Sequence, residues 1–112
     1  MPRNMSFALT TEQIRNRTKT VTRRFGWWNL KPGEILNACV KCMGLRKGEK
    51  IEVIRQIRVI SIQREQLYKI SKADVNREGF PAWNRIDFLD FFMHTHNCDG
   101  LAEVNRIEFE YL

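Results

Sequence analysis

Residues 17–25, "RTKTVTRRF", hold four basic side chains and three threonines, with no acidic residue among them. Lys19 and Thr22 are the residue types that do nucleophilic and general-base chemistry. A threonine hydroxyl is a weak nucleophile until a base takes its proton. A lysine serves that purpose only when burial or neighbouring cations lower its pKa. Arg17, Arg23 and Arg24 are close enough in sequence to supply such pressure, and Arg24 suits a phosphate or a carbonyl oxygen. The same four cations, Arg17, Lys19, Arg23 and Arg24, also suit a grip on a phosphate backbone. A third reading is a solvated edge strand, where lysine blocks unwanted pairing. Glu78 lies in "REGFP", beside a turn enforced by Gly79 and Pro81. Facing a basic cleft, it is an acid/base group or an acceptor for an amino group on a base. On an open surface, it is a partner for Arg77 or Lys72.

Two further groups have chemical potential. Trp27, Trp28 and Trp83 are candidates to stack on a base, as in single-strand binders, although core packing is the commoner fate of tryptophan. Adjacent Trp27 and Trp28 do not both point inward easily, so one is expected outside. "CVKC" and "HTHNC" bring Cys39, Cys42, His94, His96 and Cys98, and C-x-x-C is half of a structural zinc site. Cys39 and Cys42 fall on opposite faces of a regular strand, so packed thiols and no metal are expected, with no cofactor.

These residues sit in a chain of 112 residues, enough for one domain spanning 1–112 with a modest core. Hydrophobic residues make up 43%, which excludes a disordered composition. No apolar run is long enough for a membrane helix, the start shows no secretory signal, and three cysteines do not make a disulfide framework. The expectation is a cytoplasmic protein. The net charge is +6, and it is uneven. Residues 1–58 carry 13 Lys/Arg against 4 Asp/Glu, whereas residues 59–112 carry 6 against 9. One basic face and a polyanionic partner, RNA or a nucleotide, follow from that asymmetry.

The elements that must position the site are legible in outline. "MSFAL" is a short strand. Thr10 and Gln13 are spaced as a capping box for a helix ending near Asn16. Residues 18–24, rich in β-branched threonines, favour a strand. "KPGE" is a turn into a strand at 35–40. Residues 51–63 are one long strand or two with a bulge. Ser71 with Asp74, and Asn84 with Asp87, start two helices. In the second, Ile86, Leu89 and Met93, widened by Phe88, Phe91 and Phe92, form an apolar stripe for packing on the sheet. Residues 103–112 end in a strand. On an extended strand, Lys19 and Thr22 point to opposite faces, so Lys19 must reach in from the preceding loop or across a bend. The order β–α–β–β–β–α–α–β predicts an α+β domain, a partly open mixed barrel with helices over one side.

Lys19, Thr22 and Arg24 form K-x-x-T-x-R. "KPGE", "REGFP" and the terminal "RIEFEYL" follow in order. In that order and spacing, over about residues 6–112, the chain resembles the ASCH domain, a relative of PUA domains. The resemblance implies a PUA-like β-barrel with a cleft lined by the Lys-Thr-Arg strand and the "EGF" segment, binding RNA or nucleotides. It also implies two enzymatic alternatives: an amidohydrolase that deacetylates acetylcytidine, with Lys19, Thr22 and Glu78 catalytic, or a ribonuclease. The family often has glycine where this chain has Arg17, a position where glycine permits a tight turn or close ligand approach.

Overall fold

In the computed structural model, which describes residues 1–112, five strands and three helices follow one another in the predicted order. They are β1 (Arg3–Ser6), α1 (Thr11–Arg15), β2 (Val21–Arg24), β3 (Ile35–Cys39), β4 (Val53–Gln66), α2 (Lys72–Arg77), α3 (Arg85–His96) and β5 (Glu103–Tyr111). The strands make one mixed sheet in the order β1-β3-β4-β5-β2. Only β1 and β3 are parallel; the other pairs are antiparallel.

The expected barrel is not closed. β1 pairs only with β3 and β2 only with β5, so both remain edge strands. Closure would need backbone hydrogen bonds between those edges. A cavity lined by Ser6–Thr10 and by Thr22–Arg24 lies between them instead.

The long strand β4 does carry a bulge. Its register against β5 shifts between Val59 and Ser61. An extra residue exchanges the faces of everything after it. Ile57 and Val59 reach the same apolar cluster as Ile62, which plain alternation would forbid. That cluster, with Met5, Phe7, Ile14, Leu36, Ile107 and Phe109, fills one side of the sheet. A second cluster of Leu67, Ile70, Val75, Phe88, Leu89, Phe92 and Val104 joins α2 and α3 to the other side.

The helix starts divide. Ser71 accepts from the Asp74 amide, and Asn84 with Asp87 makes a reciprocal capping box. Thr10 precedes α1 but its side chain makes no cap; Thr11 Oγ1 donates to the Phe7 carbonyl instead. Within α3, Ile86 is exposed rather than part of the packed stripe, which is Phe88, Leu89 and Phe92.

Candidate functional site

β2 begins only at Val21, so Lys19 belongs to the loop before it. That loop is tied to the end of α2. The Thr20 amide donates to the Arg77 carbonyl at 2.7 Å, and Tyr111 Oη donates to the Lys19 carbonyl at 2.5 Å. The close approach is possible because Gly79 follows α2 with φ +104. A Cβ there would stand 2.6 Å from Gln13 Cγ and 3.4 Å from Lys19 Cβ. On the other side, the turn that delivers Lys19 passes through Arg17 at φ 63. Arginine makes the left-handed turn that glycine would make without strain. Its own side chain is exposed and does not line the cavity.

The result is a buried ion pair. Lys19 Nζ donates to Glu78 Oε1 at 2.7 Å and to the Glu78 backbone carbonyl at 3.0 Å. Both residues are 3% exposed, which puts the pair out of bulk solvent. Burial lowers the Lys19 pKa from its ordinary value; Glu78 opposes that shift, and Arg24 and Arg23 add to it. An ammonium has three N–H donors, so one remains without a protein partner.

Behind the pair lies a network that includes residues the sequence did not single out. Arg23, itself buried, donates to Glu78 Oε2 at 3.0 Å, Glu65 Oε1 at 2.7 Å and Asp74 Oδ2 at 2.5 Å. Asp74 also accepts from Arg106 at 2.6 and 3.0 Å and from Arg77 at 2.9 Å. Burial would raise the Asp74 pKa, but the hydrogen bonds from Arg106, Arg23 and Arg77 override it and hold the carboxyl well below the usual range. Arg23 and Arg106 are direct cross-strand neighbours. Two like charges in that position repel, and Asp74 between them removes the conflict. One signal was available: Glu78, at the C-terminal cap of α2 with helical backbone angles, lies four residues after Asp74, hence on the same helix face.

Lys19, Thr22, Arg23, Arg24 and Glu78 all contribute to the wall of one cavity of about 230 Å³. Neighbouring strand residues normally face opposite ways. Here the cavity runs along the free edge of β2, so it takes side chains from both faces. Arg24 Nε donates to Thr22 Oγ1 at 3.1 Å, and its guanidinium lies 4.6 Å from the Phe7 ring centre. Burial lowers the Arg24 pKa to about 10, which leaves it charged at neutral pH.

Aromatic side chains also line the cavity: Phe7, Phe80, and Phe88, Phe91, Phe92 and His96 from α3. Their spacing along α3 puts these four on one stripe. His96 stacks on Phe92 at 4.0 Å, and its Nδ1 sits 3.1 Å from the Phe92 carbonyl. Thr95 Oγ1 lies at the same 3.1 Å from Nδ1, so either ring tautomer finds a partner there. None of the tryptophans lines the cavity. Trp83 stacks behind Phe80 at 4.1 Å, Trp27 packs on the first core cluster, and exposed Trp28 lies under Arg64. The zinc candidates do not converge; no group of three or more His, Cys, Asp or Glu side chains is arranged to hold a metal. No helix is long and apolar enough to cross a membrane.

Neither a protein-family model nor a curated protein matches this chain. Two solved structures do. One, an Enterococcus faecalis protein of the DUF984 family model, shares 15% identity with a TM-score of 0.67, over 100% of this chain and 77% of its own. The other, an ASCH domain from Lactobacillus crispatus, shares 15% identity with a TM-score of 0.58, over 97% of this chain and 78% of its own. Likeness at such identity establishes the fold alone. With the element order, the open mixed sheet and the two flanking helices in place, the chain has the fold of an ASCH domain.

Proposed function

We propose that the cavity binds one nucleobase, presented by a nucleotide or by RNA, against Lys19, Thr22, Arg24 and Glu78. The observation that carries this reading is the pairing of two unlike linings in one cavity. Phe80 and Phe91 offer aromatic surface, while Lys19 and Glu78 offer a fixed donor and acceptor 2.7 Å apart. A flat heterocycle with polar edges matches both. A cavity of about 230 Å³ falls below the range typical of drug-sized ligands, in keeping with a single base rather than a strand.

Calorimetric titration with nucleosides, mononucleotides and short oligoribonucleotides tests the reading. Stacking on an aromatic side chain contributes ~1–3 kcal/mol per base, so Phe91→Ala should weaken binding about fivefold or more. A protein that binds none of these ligands would refute the proposal.

A hydrolytic reading of the same site is favoured by the lowered pKa of buried Lys19 beside Thr22 and Glu78. A basic amine and a carboxylate at one wall are suited to activate water or the Thr22 hydroxyl. Attack on an acylamino group of a modified base would break its C–N bond, the acyl carbon taking the water oxygen and the amine a proton. Acetate release from acetylcytidine is the assay, with Lys19→Ala as the control that should abolish it. Absence of release from the folded wild-type protein would leave a binding site without that hydrolysis.

A further inference from the structure

We propose that the ligand of this cavity carries a single terminal oxyanion, a phosphomonoester on the nucleoside, seated on Arg24. The inference deepens the nucleobase reading for the ring; the anion subsite stands on separate observations.

The charged groups around the cavity are not equally available. Lys19 is paired with Glu78. Arg23 is paired with Glu78, Asp74 and Glu65. Arg24 makes no ion pair, and its one hydrogen bond as donor runs from Nε to Thr22 Oγ1. Its two terminal nitrogens have no protein acceptor, yet the side chain lines the cavity. A cation taken partly out of water without a counter-ion is unfavourable. An anion delivered by the ligand removes that deficit.

The guanidinium is also pre-organised. Thr22 holds Nε, and the Phe7 ring supports the planar face at 4.6 Å. That leaves the terminal N–H groups as a fixed fork, the geometry that engages phosphate or carboxylate in two parallel hydrogen bonds. A neutral carbonyl would use only one arm and leave the charge uncompensated.

The site has room for one such group and no track for more. The remaining cations at the wall are consumed internally, Arg17 stands outside, and the Glu78 carboxylate repels a second anion. A polynucleotide backbone would need successive free cations, and the cavity presents one. The charge asymmetry of the sequence therefore overstates the polyanion that this cavity can hold.

The test compares affinities by calorimetry for the four nucleosides, their monophosphates, oligonucleotides with and without a terminal phosphate, inorganic phosphate and phenyl phosphate. Hydrogen bonds to charged groups contribute enough that a monophosphate should bind ~10-fold or more tighter than its nucleoside. Arg24→Met should erase that preference, and Arg24→Lys should keep part of it. Equal affinity of nucleoside and monophosphate for the wild type would overturn the inference while leaving the nucleobase reading intact. Affinity that climbs with oligonucleotide length, regardless of a terminal phosphate, would overturn it in favour of an RNA track. Should no nucleoside or nucleotide bind, the nucleobase reading fails. Phenyl phosphate bound through Arg24 would then preserve the oxyanion site, and its failure to bind would remove both. The wild-type comparisons decide the matter even if Arg24→Met does not fold.

Discussion

Lys19 Nζ and Glu78 Oε1, 59 positions apart in the chain, meet at 2.7 Å in the wall of a cavity. Glu78 serves a second cation, Arg23, through its other oxygen at 3.0 Å. The pair is therefore asymmetric. Lys19→Met leaves Glu78 still held by Arg23, whereas Glu78→Gln leaves two buried cations short of a carboxylate. Breaking a buried ion pair from one side costs ~3–5 kcal/mol. Glu78→Gln should fall in that range, with Lys19→Met clearly below it, as measured by urea denaturation. Equal losses would mean that Arg23 does not share Glu78.

Acid should unfold the protein partly through Asp74. Its folded pKa lies below its ordinary value of 3.8, so the unfolded chain takes up the proton first as pH falls. The stability from Asp74 is thus fully present above the unfolded value, declines below about pH 4, and is lost as the pH falls through the folded pKa. Asp74→Asn should lower stability at neutral pH and flatten the acid limb of the stability curve. An acid limb unchanged by the substitution would place the acid sensitivity elsewhere.

Gly79 should tolerate no side chain. A Cβ would collide with Gln13, and the residue sits at φ +104. Left-handed strain of roughly 1–2 kcal/mol adds to overpacking of typically 1–3 kcal/mol. Gly79→Ala should therefore destabilise by about 2–5 kcal/mol and loosen the contact between the end of α2 and the Lys19 segment. A thermal midpoint within a degree of wild type would show that the turn relaxes freely.

Arg17 should behave as a strained turn residue. At φ 63 it pays for a left-handed conformation that glycine adopts freely. Arg17→Gly should be more stable than Arg17→Ala by about 1 kcal/mol, since alanine keeps the strain and glycine relieves it. Parallel thermal melts of the two variants check the difference; the reverse order would show that the exposed side chain matters more than the backbone.

Much of the architecture was legible because it rests on local rules. Asn84 and Asp87 satisfy the free amides at the start of α3, whatever surrounds them. Alternation at Ile107, Phe109 and Tyr111 anticipated β5; a bulge in the long strand was one of two readings, drawn from the step between Val53 and Ile57, whereas the bulge against β5 falls between Val59 and Ser61. The exceptions have local causes too. Thr10 does not cap α1: its backbone, at φ −132 and ψ 33, lies outside the extended conformation usual for an N-cap, and its side chain accepts no amide. The sequence suggested a partly open barrel; how far its edges part was not legible, since that depends on what the segments after them place in the gap.

For the site, the amino-acid sequence by itself determined the residue types and one geometric condition: Lys19 must reach in from the preceding loop or across a bend, because positions three apart on a strand diverge. Only the tertiary structure decided which cations are free. Lys19 and Arg23 are consumed by Glu78, Glu65 and Asp74, carboxylates more than 40 positions away along the chain, while Arg24 is left unpaired. Formal charge is a property of composition, and so the sequence shows it. Free charge depends on which side chains the fold brings within hydrogen-bond distance, and no local pattern carries that information.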